Sequence, residues 1–166
     1  MQRILASGTA HRRRQCYPLC LPALPDGARP PLTVLSVSVC AQPQWEETDC
    51  ASHRGLAILV TVPLTVRARD ACGRIYSLTT YLREELALRS RGPEAACWRG
   101  QVFVQAAVRL AGRAEIGCGS PCEIPLEVFL EGYMLAPCAV NSCGAPACPP
   151  PKPWYPQPLF DPYEQR

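Results

Sequence analysis

From Leu56 to Ala68 every even-numbered residue is apolar (Leu56, Ile58, Val60, Val62, Leu64, Val66 and Ala68), while Thr61, Thr65, Arg67 and Arg69 hold odd positions. A period of two sends alternate side chains to opposite faces of an extended chain, so this segment predicts a long, half-buried strand. Pro63 cannot donate a ladder hydrogen bond and therefore predicts an edge position or a bulge. Ala71-Cys72-Gly73 reads as a three-residue hairpin loop with Gly73 in the left-handed position. In that register Asp70 faces Arg74, Ala68 faces Tyr76, Val66 faces Leu78 and Val62 faces Leu82. Between Tyr81 and Arg89, Leu82 and Leu86 with Glu84 and Glu85 suit a short helix. Leu82, Leu86 and Leu88 equally suit a continued strand, which is the expectation preferred here.

A second hairpin has the same logic. Val102, Val104, Ala106, Val108 and Leu110 alternate with Gln101, Gln105 and Arg109. Beyond Gly117-Cys118-Gly119-Ser120-Pro121, the apolar Ile124, Leu126, Val128 and Leu130 alternate with Glu123, Glu127 and Glu131. Folding the two about Cys118 sets Arg113 against Glu123, Arg109 against Glu127 and Leu110 against Leu126, with opposite charges on one face and aliphatics on the other. A slip of one residue loses both faces, which fixes the register. With Leu32–Val39 as an earlier strand, the expectation is a mostly β fold: an antiparallel sandwich or open barrel of about five long strands.

Proline sets the expected limits of that domain. Pro18, Pro22, Pro25, Pro30 and Pro31 punctuate the first thirty-one residues, and nine of the last thirty are proline. The reading is a flexible arm over 1–30, an antiparallel β domain over 31–136, and a disordered Pro/Cys-rich tail over 137–166. Pro149-Pro150-Pro151-Lys152-Pro153 is expected to be extended and solvated.

Composition narrows the chemistry. The net charge of +3 is too weak to argue for nucleic acid, and Arg12-Arg13-Arg14 lacks interleaved aromatics, so it reads as a solvated arm. No run reaches the roughly eighteen apolar residues of a membrane span. The first ten residues lack a secretory h-region, which points to synthesis in a reducing cytoplasm. Sixteen arginines stand against the single Lys152, leaving almost no amine for amide cross-links, whereas eleven cysteines supply thiols.

Those cysteines are the candidate chemistry. Cys16 and Cys20 lie in the arm, Cys40, Cys50 and Cys97 flank strands, and Cys122 falls on an inner face as a small hydrophobe. Cys72 and Cys118 sit at hairpin tips, and Cys138, Cys143 and Cys148 recur in the tail; these five are the cross-linking candidates because no core hides them. An odd total leaves at least one thiol unpaired in any monomeric disulfide scheme. The alternative is a zinc-stabilised protein-binding module using Cys50, His53, Cys118 and Cys122, whose C-x2-H and C-x3-C spacings suit half-sites. A second alternative is a disulfide-rich binding domain. No catalytic motif is present: the histidines are His11 and His53, and there is no nucleophile elbow, P-loop or dinucleotide fingerprint. Neither an enzyme, a cofactor nor a small-molecule substrate is expected.

The strand Val62-Pro63-Leu64-Thr65-Val66-Arg67-Ala68-Arg69-Asp70, its turn into Gly73-Arg74-Ile75-Tyr76, and the later paired strands resemble the SPOCS-type β-domain of clostridial spore-coat assembly proteins over residues 32–136. The chain departs from that family in having no LysM module and in its high cysteine content. The resemblance implies a sporulation protein made in the mother-cell cytoplasm, deposited on the spore surface and held by contacts with itself and other assembly proteins. Exposed thiols, proline- and tyrosine-bearing ends and a rigid β-core suit the same structural, self-assembling role.

Overall fold

Alternation dominates the architecture. The structure is a computed structural model that describes residues 2–48, 55–90, 101–118 and 121–137. Its elements are all strands: β1 (Gln2–Leu19), β2 (Leu32–Val39), β3 (Gln44–Glu47), β4 (Gly55–Arg69), β5 (Ile75–Ser90), β6 (Gln101–Leu110), β7 (Glu115–Ile116) and β8 (Cys122–Pro137). They form one antiparallel sheet in the order β6-β8-β1-β5-β4-β2-β7, with β3 beside β4. The sheet curls into an open barrel, bringing β2 round towards β6, and the Val34 amide donates to the Ala114 carbonyl at 2.9 Å. Among the described residues no helix is long and apolar enough to cross a membrane.

The core is the inner row of each strand. In β4 every even residue from Leu56 to Ala68 is buried, and Leu78, Leu82, Leu86 and Leu88 of β5 face them. Ile124, Leu126, Val128, Leu130 and Met134 of β8 close the opposite wall. Burying each such Val, Leu or Ile contributes about 1.5–3 kcal/mol, which is why the pattern determines the fold. The β4–β5 register is the expected one: Ala68 pairs with Tyr76, Val66 with Leu78 and Val62 with Leu82. Tyr81–Arg89 continues β5 as strand, and Gly73 is left-handed with φ 83°.

Four expectations are corrected. Among the described residues the sheet has eight strands, against an expected five or so long ones. The first thirty residues are not all arm: residues 2–19 form β1, hydrogen-bonded to β8 along its length from Gln2↔Pro137 to Leu19↔Cys122. Its pattern is obscured by two register shifts, at Ile4/Ala6 and Arg12/Gln15, each of which moves the side chains that follow to the other face. Its inner positions are also small, Ala6, Gly8 and Ala10, because Leu86 and Leu88 reach across; a Cβ on the neighbouring Gly132 would lie 2.8 Å from the Cδ2 atom of each.

Pro63 lies on neither an edge nor a bulge. β4 is flanked by β5 on one side and by β2 and β3 on the other, and Pro63 sits between the last β2 pair (Val39↔Leu64) and the first β3 pair (Gln44↔Thr61). Its carbonyl accepts from Cys40, and its missing N–H falls where the partner strand changes. The fourth correction concerns the second hairpin. Arg109 pairs with Glu127 and Leu110 with Leu126, as expected, but the ladder ends there. The chain then leaves to form β7 against β2, so Arg113 does not face Glu123, whose ladder partner is Pro18 of β1.

β1 joins two halves of the sheet. It pairs with β5 only at Ala6↔Ser90 and Ser7↔Arg89. Further along, side chains replace the ladder: Arg12 Nε donates to Glu84 Oε1 at 2.8 Å, Tyr17 Oη to Glu84 Oε2 at 2.9 Å, and Thr80 Oγ1 to the Cys20 carbonyl at 2.8 Å.

Candidate functional site

Strand direction gathers thiols at one end of the barrel. The β4–β5 turn carries Cys72, the residues after β7 include Cys118, β8 begins at Cys122, and β1 runs out into Cys20 opposite it. Cys72 is exposed at its turn, as expected, and Cys118 is exposed too, although it follows β7 rather than capping a hairpin; Cys16, Cys20 and Cys40 are also exposed. Cys122 is buried on the inner face and its Sγ donates to the Glu115 carbonyl at 3.3 Å. Burial, with the Glu123 charge adding to it, pushes this thiol up and keeps it protonated. The candidates Cys138, Cys143 and Cys148 lie outside the described residues.

The turn that presents Cys72 is built by Asp70. Its backbone carbonyl accepts from Gly73 and its amide donates to Arg74, closing the three-residue loop. One side-chain oxygen accepts from the amides of Cys72 and Arg74, both at 2.9 Å, and the other from Tyr76 Oη at 3.3 Å. Burial pushes the carboxyl up, but the amides of Arg74, Cys72 and Arg29 and the Tyr76 hydroxyl together outweigh it, holding the group below the usual aspartate value. A satisfied, ionised Asp70 fixes the loop, and the fixed loop points Cys72 outward.

Two polar networks occupy the walls. On the outer face Glu127 accepts from His11 Nε2 at 2.7 Å and from Arg109 Nε at 2.7 Å, while the His11 ring meets Phe129 edge-on at 5.7 Å. The hydrogen bonds from His11 and then Arg109 hold Glu127 below the usual glutamate range. On the inner side, burial and the Glu84 carboxylate raise the Tyr17 hydroxyl far above the ordinary tyrosine value. The tri-arginine run is thereby dispersed: Arg12 pairs with Glu84, Arg13 is exposed, and Arg14 sits at the bulge with φ 51°. Where β1 and β5 part, a groove of about 690 Å³ is lined by Gly8, His11, Arg12, Glu85, Arg89 and Tyr133, with both signs of charge.

For the alternative metal site, Cys50 and His53 lie outside the described residues. Cys118 is exposed and Cys122 is turned into the core, and among the described residues no three His, Cys, Asp or Glu side chains converge. Sequence reasoning passed over Cys16, Cys20 and Cys40 as candidates. The signal for the first two was available: buried Tyr17 and Leu19 alternate with them, which turns both thiols outward. Comparison of the chain with protein-family models, with curated proteins and with solved structures gives no match.

Proposed function

We propose that the chain is a structural, self-associating protein of spore-coat type, a rigid β body whose surface thiols cross-link it to further copies and to other assembly proteins. It acts through contacts rather than catalysis, and needs neither cofactor nor small-molecule substrate. In this reading it is made in a reducing cytoplasm, folds there, and is deposited on the spore surface, where oxidation joins the copies. The observation that carries the reading is the distribution of thiols: of the six described cysteines, five are exposed and only Cys122 is packed away. Two exposed thiols on neighbouring chains can meet without distorting the core, and an external oxidant that takes up their two electrons, with release of the two thiol protons, closes the disulfide.

The test is oxidation of the purified full chain, read on non-reducing gels beside metal analysis. Reducible multimers should form, and replacing Cys72, Cys118, Cys138, Cys143 and Cys148 by serine should reduce them strongly while the β fold persists. Residual multimers should vanish when Cys16, Cys20 and Cys40 are also replaced. A wild type that stays monomeric under oxidant and carries about one equivalent of zinc would transfer the reading to the zinc-stabilised module.

A further inference from the structure

The outer face of β2, β4 and β5 sets arginines among hydroxyls. Its cross-strand rows run Thr33–Arg69–Ile75, Ser36–Arg67–Ser77 and Ser38–Thr65–Thr79. Arg67 and Arg69 are exposed and lie about 6.5 Å apart on one face of the same strand. Arg29 and Arg74 are exposed at the same end: the Arg29 amide donates to Asp70, and Arg74 Nη1 lies 3.7 Å from where a Cβ on Gly27 would sit. Among the described residues no carboxylate lies within ion-pair distance of Arg67, Arg69 or Arg74. Asp70, the nearest acid in sequence, is buried and spends its oxygens on backbone amides and Tyr76. Glu115 occupies the Thr33 row, but two strands from Arg69, roughly 9–10 Å away.

Guanidiniums beyond ion-pair distance of any described carboxylate, spaced at strand intervals on the outside of the curled sheet and bordered by hydroxyls, match a chain of regularly spaced anions. We propose that this face binds a linear polysaccharide bearing sulfate or phosphate esters, with Arg67, Arg69 and Arg74 meeting the esters and Ser36, Ser77 and Thr79 meeting sugar hydroxyls. A glycan suits the face better than a nucleic acid. Single strands are held by successive aromatic platforms, and here the exposed large apolar side chains are Leu35, Ile75 and Tyr81, of which Tyr81 alone is aromatic and has Arg83 5.7 Å above its ring. The inference is independent of the thiol reading, since it needs no cysteine.

The test uses the full chain under reducing conditions, a fluorescent heparin-derived oligosaccharide as probe, and a salt titration. The protein should bind at low salt, and Arg67→Gln with Arg69→Gln should weaken binding about tenfold or more and lower the salt slope by about two. Arg13→Gln with Arg89→Gln removes the same charge elsewhere and should change affinity within about twofold. Desulfated oligosaccharide should not compete. Equal losses in the two double variants, or no binding at low salt, would overturn the proposal. So would tighter binding of a single-stranded oligonucleotide of matched charge, abolished by the same Arg67 and Arg69 changes, because the face would then belong to nucleic acid.

Discussion

Gly8 tests the seating of β1 most directly. It pairs with Gly132 on the inner face, and a Cβ there would lie 2.0 Å from the carbonyl oxygen of Ala87 on β5. A carbon normally approaches such an oxygen no closer than about 3.3 Å, so Gly8→Ala demands more than 1 Å of additional separation between β1 and β5. The obstacle is backbone, which has no rotamer to change. Opening the strands by that amount stretches the adjoining pairs Ala6↔Ser90 and Ser7↔Arg89, the only ladder between β1 and β5. Losing two hydrogen bonds at about 1 kcal/mol each, with overpacking strain of about 1–3 kcal/mol, gives a destabilisation of roughly 3–5 kcal/mol. In urea, with a slope of about 2 kcal/mol/M, the midpoint should fall by about 1.5–2.5 M. Gly132→Ala should cost less, because its obstacles at 2.8 Å are the flexible ends of Leu86 and Leu88. Gly117→Ala, with nothing within 4 Å, should lie within about 0.5 kcal/mol of wild type. A Gly8→Ala midpoint equal to that of Gly117→Ala would refute the placement of β1 against β5.

Glu84→Ala should cost about 1–3 kcal/mol in urea unfolding, because Tyr17 Oη loses its acceptor at a largely buried site; a wild-type midpoint would show that the network is idle. In native-state alkylation read by mass spectrometry, Cys16, Cys20, Cys40, Cys72 and Cys118 should react promptly, and Cys122 only at the rate of unfolding; early labelling of Cys122 would contradict its burial. Asp70 and Glu127 both have folded-state values below their ordinary ones, so their contribution to stability is complete above the unfolded values of about 4 and is lost as pH falls towards the folded values. Asp70→Asn should therefore lower stability at pH 7 and flatten the loss below pH 4, and an acid profile parallel to wild type would contradict the hydrogen bonds assigned to Asp70.

What the sequence made legible follows from where one rule governs a whole segment. β4 and β5 are readable because every inner position from Leu56 to Leu88 that needs to be apolar is so, apart from Thr80 and Glu84, and because Asp70 and Gly73 specify the turn. β1 hides for three physical reasons. Its bulges reset the period, its inner positions are small to admit Leu86 and Leu88, and one of them is Arg12. An inward arginine and an inward glutamate each read as surface in isolation; Arg12 and Glu84 make sense only once β1 and β5 are neighbours. The Arg113–Glu123 pairing failed although its arithmetic was that of the true register, because the two-residue β7 takes the chain towards β2. Nothing in a two-residue strand distinguishes it from a loop. At the site, Cys72 was legible from its turn, whereas the convergence of Cys20, Cys72, Cys118 and Cys122 at one end is a property of topology alone.

That topology also bears on the order in which folding and cross-linking can occur. β1 pairs with β8 across more than a hundred residues of intervening chain, so β1 must wait for β8. Such non-local pairing is slow, because loop closure is paid before any contact stabilises it. Throughout that wait Cys122, destined for the core, is as accessible as Cys20 or Cys72, and Leu19 cannot yet pair with it. A disulfide formed then would join residues before the register is set, and at Cys122 it would exclude β8 from its place on the inner wall. Folding in a reducing compartment removes that hazard, and once β8 has docked on β1 burial itself protects Cys122. The thiols that remain reachable are then the ones whose oxidation leaves the core undisturbed, so the fold, rather than the spacing of the cysteines along the chain, selects which of them an oxidant reaches.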